Sequence, residues 1–460
     1  MKATLLVDIG STFTKVAAID LEKEDVMATA QYPTTLKTDV TIGLQEAVRI
    51  LKSNVGNLDF DYSFACSSAG GGLRMAVIGL VPDLSVEAAR RAALGAGARI
   101  VASYSYMLSC RELEELERLS PDIILLSGGT DGGDEKTITC NAMRLAKSKL
   151  DSPFVIAGNK AVAYEAESIL RSAGKSDVRV TENVMPELGK LCVEPVRSLL
   201  REIFVEKIVV AKGIEKVKEQ VDSVIMPTPM AVLEASKLLA EGTKEEEGIG
   251  DLVVVEVGGA TTNVHSICKG MPTRPAIFKS LQEPFAKRTV EGDLGVRHSA
   301  LSLLEVSGEE KVLKNAGLSS MDLQHAVREL VAHPEKLPIS AEEFALDEGL
   351  ASTAIELAME RHAGKLEVVP TVVGEVCLQY GKDLTEVRYV VGTGGPILHS
   401  RNPQKLLEKI LFDERKSFLL KPKRPCFYID EKYILYAVGL LAGIAPNKAL
   451  RIIKKHMRIV

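Results

Sequence analysis

The sequence predicts an α/β protein of two similar halves facing each other across a cleft, with a further α/β domain inserted between them. Three observations predict it. A strand–glycine turn–strand unit occurs twice, at residues 4–19 and 251–267. A third glycine loop, residues 390–400, again follows an apolar strand. Between the two copies the pattern changes to apolar strands alternating with helices at a spacing of roughly 25 residues, the signature of a parallel sheet.

The second copy, DLVVVEVGGATTNVHSI at 251–267, carries the plan most clearly. Residues 252–257 form a near-continuous β-branched run, expected as a strand buried on both faces. Gly258 and Gly259 then let a ligand approach the backbone with no Cβ in the way. Ala260, Thr261 and Thr262 add small side chains and two hydroxyls, and Glu256 stands at the strand end. Such a tip suits a phosphate and its metal ion. In the first copy, TLLVDIGSTFTKVAAI, Asp8 aligns with Glu256, Gly10 with Gly258, Ser11 with Gly259 and Thr14 with Thr262.

Composition sets limits on function. At 460 residues and 46% hydrophobic, the chain can bury a core large enough for several domains. A net charge of −5 provides no basic field for nucleic acid or acidic lipid. Seven scattered cysteines, without a Cys-x-x-Cys, point to reduced thiols in a cytoplasm and away from a zinc site. Met1 and Lys2 run directly into the first strand, so no signal peptide is expected, and no apolar run reaches the roughly twenty residues of a membrane span.

In chain order, residues 1–76 begin the first half. A glycine triplet, Gly70 to Gly72, either lines the cleft or makes a tight turn. Residues 77–180 form the insertion, with strands at 76–81, 98–103, 122–127, 154–157 and 178–181 and helices between them, a three-layer, flavodoxin-like arrangement. Its loop SGGTDGG, 127–133, lies at a strand's carboxyl end, where open α/β sheets bind ligands; the alternative is a turn-rich strand exit. Residues 181–250 complete the first half and carry a linking helix after Pro227-Thr228; the acidic run at 241–250 reads as solvated. The second half spans 251–432, with 301–385 read as mostly helical, and a connecting helix and tail occupy 433–460. The basic stretches 421–424 and 451–458 read as solvated ends or partner contacts.

Three glycine loops in this order resemble the actin, sugar kinase and heat-shock chaperone ATPase superfamily, whose halves are ribonuclease H-like. The resemblance implies that ATP binds in the cleft with Mg²⁺. Gly10, Ser11, Thr12 and Thr14 would face Gly258, Gly259, Ala260, Thr261 and Thr262 across the β- and γ-phosphates. Gly392, Gly394 and Gly395 would lie against the adenosine. Asp8 is the candidate Mg²⁺ ligand, through water, and Asp8, Glu256 and Asp293 are the candidate catalytic acids. Asp293, in RTVEGDLGVRHSA, either faces the cleft or caps a helix. Lys15 either meets phosphate or points to solvent. Two departures from the superfamily, Glu256 and Asn263 where Asp is usual, imply slow turnover, and Met226 in the place of an acid argues against the superfamily's base-catalysed hydrolysis.

Taken together, DIGSTFTK, GGTDGG, EVGGATTNVHS, RTVEGDLG and VGTGGPILHS are similar to the glutamate mutase accessory proteins called MutL or GlmL, over essentially the full length. That resemblance implies an ATP-dependent reactivating chaperone, a slow ATPase, for an adenosylcobalamin-dependent mutase. Two alternatives stay open: a small-molecule kinase, which needs a carboxylate base beside a substrate pocket, and a nucleotide-dependent scaffold that does not hydrolyse.

Overall fold

Every residue of Ala3–Ile9 (β1) is buried, Thr4 and Asp8 included, as in a strand covered on both faces. The computed structural model describes residues 3–460 apart from 36–37, 57, 69–73, 97, 211–216, 218–220, 280, 282 and 373. The glycine triplet Gly70 to Gly72 lies outside the described residues. The chain divides into two units, Gly72–Lys207 and the remainder, Met1–Gly71 with Ile208–Val460.

In the larger unit β1 pairs antiparallel with β2 (Phe13–Asp20), which pairs with β3 (Asp25–Pro33). A helix, Val40–Val55, capped by the Asp39 side chain, leads to β4 (Phe60–Ser67), parallel to β1.

The smaller unit has five parallel strands where the apolar runs placed them: β5 (Arg74–Gly79), β6 (Arg99–Ser105), β7 (Ile123–Leu126), β8 (Phe154–Ile156) and β9 (Val178–Val180). Their order in the sheet is β6-β5-β7-β8-β9. Helices Glu87–Gly95, Cys110–Leu119, Lys136–Ala146 and Ala163–Ser172 connect them. The loop after β7 is held by two buried asparagines. Asn159 Oδ1 accepts from Gly132 N at 3.0 Å, and Asn183 Nδ2 donates to Gly129 O at 3.1 Å.

Back in the larger unit, β10 (Ser223–Pro227) joins the first sheet, giving the order β10-β4-β1-β2-β3. The helix Thr228–Glu241 follows at once. The second sheet is built from β11 (Leu252–Val257), β12 (Thr262–Ile267), β14 (Ala286–Glu291), β17 (Tyr389–Thr393), β18 (Cys426–Asp430) and β19 (Met457–Ile459), in the order β14-β12-β11-β17-β18-β19. Apart from β19, the two sheets share one plan: third, second, first, fourth and fifth strand, with the first two antiparallel and the fourth parallel to the first. One apolar core joins residues of both sheets, such as Leu6 and Val254, to the helices Thr228–Glu241 and Leu435–Ala442. Gly439 permits those helices to touch, because a Cβ there would collide with the backbone of Ala231.

Four expectations are corrected. Residues 365–380 are not helical: β15 (Lys365–Thr371) and β16 (Gly374–Tyr380) form a hairpin that pairs with β13 (Ile277–Phe278). Its β-branched run and Pro370 suit an edge strand and would break a helix. The acidic 241–250 loop and the basic 451–458 stretch are not simply solvated, since Lys454 pairs with Glu246 at 2.7 Å, Arg451 with Glu24 and His456 with Asp25. Lys421, in the other basic stretch, is buried and donates to the Lys409 carbonyl.

Candidate functional site

The two hairpins close in the same way. Gly10 N donates to Phe13 O at 3.1 Å, and Gly258 N donates to Thr261 O at 2.9 Å. In both ladders the strand-end acid faces the second residue after the turn, Asp8 opposite Lys15 and Glu256 opposite Asn263. The tips meet: a Cβ built on Gly259 would strike the Thr12 hydroxyl. Ser11, Thr14 and Thr262 spend their hydroxyls inside the protein, on Ser68 O, Thr34 Oγ1 and Leu294 O respectively. Thr12 Oγ1 and Asn263 Oδ1 are buried at this junction without a hydrogen-bond partner. Buried polar atoms left unpaired are costly, so a site of this kind favours a ligand or water that satisfies them.

Around Asp8 the sheet end becomes a compact charged cluster. Asp8, 1% exposed, accepts from Lys15 Nζ at 2.7 Å and, through its other oxygen, from Thr228 Oγ1 at 2.5 Å. Cys66 lies against the same carboxylate. Lys15 is therefore mostly buried, with 15% of its side chain still exposed. Its ammonium sits 4.4 Å from the centre of the Tyr433 ring. Burial works against that charge, but the Asp8 carboxylate and the Tyr433 phenol outweigh it and hold the proton well above the usual lysine range. Burial pushes the Tyr433 phenol up to about 12, against the pull of Lys15. Glu256 accepts from Asn263 Nδ2 at 2.8 Å. Burial raises its carboxyl above the ordinary range, with Asn263 and Lys15 opposing. The cluster thus sets one cation on a paired carboxylate, within electrostatic reach of a second whose charge burial disfavours.

The third glycine loop is more varied than its sequence implied. The space beside Gly392 is filled by Ile397 and Leu407, so packing explains that glycine. Gly394, at φ 101°, lies against the Val257 backbone, and only Gly395 faces open space. Thr393 Oγ1 donates to Asp430, whose carboxylate also caps Ile434 N and Leu435 N at 2.9 Å. Beyond the loop, Ser400 donates to Glu348, and the Arg401 guanidinium lies 4.2 Å from the Phe344 ring centre. Asp293 is committed elsewhere: both of its oxygens bind Arg361 at 2.8 Å, and Arg361 also binds Glu291. Arg297, next along, donates its backbone N–H to Gly259 O and its guanidinium to Asp347.

Sequence reasoning missed Thr228, Cys66 and Tyr433 as members of the Asp8 cluster. Thr228 had a signal, since it opens the linking helix directly after Pro227. Cys66 and Tyr433 had none, because their roles depend on which strands and turns stack beside β1.

A family model described as MutL protein matches residues 4–457. The chain belongs to the MutL protein family. Within it, a protein named Protein MutL from Clostridium tetanomorphum is 48% identical over 460 residues, covering 99% of each chain. Among solved structures, diol dehydratase-reactivating factor in nucleotide-free form aligns with 96% of this chain and 99% of its own, at 10% identity and a TM-score of 0.36. An activator of 2-hydroxyisocaproyl-CoA dehydratase from Clostridium difficile, with bound ADPNP, aligns with 99% and 95%, at 9% identity and a TM-score of 0.31. Both structural likenesses are loose. No helix among the described residues of this MutL-family chain is long and apolar enough to cross a membrane.

Proposed function

We propose that this MutL-family protein binds ATP with Mg²⁺ between residues 8–15 and 258–262 and uses slow hydrolysis to reactivate an adenosylcobalamin-dependent mutase, such as glutamate mutase, in the cytoplasm. The observation that carries the nucleotide reading is the meeting of two equivalent hairpin tips, Gly259 against Thr12, with Asp8 and Glu256 at matching positions. The mutase as partner rests on the family.

The repeated strand order supports reading the larger unit as two actin-like halves, and the order β6-β5-β7-β8-β9 matches the flavodoxin-like arrangement of an inserted domain near residues 77–180. In this reading the tip N–H groups that the closing bonds leave over, at Ser11 and Thr12 and at Gly259 and Ala260, bind phosphate oxygens, and Thr12 Oγ1 gains the partner it lacks. Lys15 supplies a cation to the same oxygens. Asp8 is the carboxylate that would hold Mg²⁺, through water, which Mg²⁺ retains readily. When bound, the ion would neutralise phosphate charge. Met226 has no basic group and Asp293 is tied to Arg361, so neither serves as a general base, in keeping with slow turnover. Nucleotide favours one partner shape only through a difference in affinity between the two states.

The test uses the cognate mutase, inactivated by turnover. This protein, Mg-ATP and fresh adenosylcobalamin are added, and recovered activity is followed with exchange of spent for intact cofactor. Recovery that depends on ATP supports the reading. Equal recovery with and without ATP removes it and leaves a scaffold.

A further inference from the structure

Tyr433 combines two features that ordinary packing does not require. Its backbone is left-handed, with φ 56°, a conformation that bulky side chains rarely adopt. Its ring meets the Lys15 ammonium, with 4.4 Å between Nζ and the ring centre. The turn that places it is built by Asp430: the Asp430 carbonyl accepts from Tyr433 N at 2.9 Å, and its carboxylate caps the next two residues. Asp430 in turn holds Thr393 of the third glycine loop. The second half of the chain therefore spends an unfavourable backbone state on putting an aromatic face over a lysine of the first half. Such strain, where the surroundings enforce it, is found at working sites.

Lys15 has a long, flexible stem, and near Asp8 it could adopt several rotamers. The carboxylate fixes its charge at one point, while the Tyr433 ring covers the ammonium from another side and adds a cation–π attraction. With both in place, Nζ stays close to the first tip, 3.4 Å from where a Cβ of Gly10 would lie.

We infer that Tyr433 is a positioning residue: it holds the Lys15 ammonium at the hairpin tip, and any influence it has on phosphate binding passes through Lys15. The first clause stands on this structure alone, and the second rests on the proposed nucleotide site.

The test separates the two. Trace acetylation of the full-length protein without nucleotide, read by peptide mass spectrometry, gives the labelling of Lys15 relative to exposed Lys23. Tyr433→Asn removes the ring while keeping a residue that tolerates left-handed backbone. It should raise relative Lys15 labelling by about 2- to 30-fold, the range a lost cation–π contact spans. Tyr433→Phe keeps the ring but loses the phenol that also holds the Lys15 proton, so its labelling should lie between those of the native and Tyr433→Asn proteins. Thermal unfolding checks that both variants are folded. Equal Lys15 labelling in native and Tyr433→Asn proteins overturns the inference.

The second measurement compares affinity for ATP and for adenosine, with and without Lys15→Met. Tyr433→Asn should weaken ATP binding, leave adenosine binding unchanged, and have no further effect once Lys15 is Met. Loss of adenosine affinity, or an undiminished effect in the Lys15→Met background, overturns the second clause. If the native protein binds no ATP, the proposed function fails, and the labelling result still decides whether Tyr433 positions Lys15.

Discussion

Asp8 and Thr228 are 220 residues apart in the chain and share a buried hydrogen bond of 2.5 Å between Oδ1 and Oγ1. With Lys15 on the other oxygen, the bond fixes the Asp8 carboxylate in one orientation from two sides. It also ties the start of the linking helix to the strand end that carries the first tip, so the helix and the candidate site are mechanically one piece.

Removing that hydroxyl leaves a buried carboxylate oxygen short of a donor. Thr228→Val, which keeps the shape, should lower stability by about 1–3 kcal/mol, and Thr228→Ser should recover most of it. Chemical denaturation of the three proteins measures both. A Val variant as stable as the native chain would mean that water replaces the hydroxyl freely.

Gly258 is the clean place to block the proposed phosphate site. A Cβ there has a single near neighbour, Thr261 O at 3.1 Å, so the fold needs only a small shift to admit a side chain. Gly258→Val should keep the native unfolding transition and lose ATP binding by calorimetry. Unchanged nucleotide affinity in the folded variant would move the site elsewhere.

Asp8 and Met226 should behave in opposite ways. Asp8→Ala is expected to lose Mg²⁺-dependent turnover and cofactor exchange. Met226 lies in the core shared by both sheets, so Met226→Ala should cost about 2–5 kcal/mol of stability. Its turnover per folded molecule should match the native protein. A turnover defect in folded Met226→Ala protein would give that position a catalytic part.

The C-terminal helix Pro446–His456 predicts an acid limit to stability. The Arg451 guanidinium holds the Glu24 carboxyl below its ordinary 4.5, against burial. Asp25 is also below its ordinary 3.8: burial pushes it up, but His456 and the Val26 N–H more than offset that. Both groups bind fewer protons folded than unfolded, so their contribution is complete above about pH 5 and falls as pH drops through 4.5 and below. Thermal unfolding at a series of pH values should show this loss, and Glu24→Gln should flatten the slope. An unchanged slope would assign acid lability to other carboxylates.

Much of this molecule was legible residue by residue. The equivalence of Asp8 and Glu256, the two hairpins around Gly10 and Gly258 and the five strands of the smaller unit all follow from patterns of a few residues. Whether a segment is buried on both faces and where it must turn is written in its own side chains. The same approach failed at residues 365–380, where a short β-branched hairpin was absorbed into a helical stretch because its partner, Ile277–Phe278, is too short to announce itself.

Tertiary structure alone decided what surrounds the site. Thr228 reaches Asp8, Tyr433 covers Lys15, Arg361 takes Asp293, and Ile397 with Leu407 fill the space beside Gly392. The pairings of Asp8, Lys15 and Asp293 have no period or spacing, because each joins segments far apart in the chain. Local sequence determines which backbone a segment adopts, whereas the direction and charge state of a buried side chain depend on neighbours that only the folded chain brings within hydrogen-bond reach.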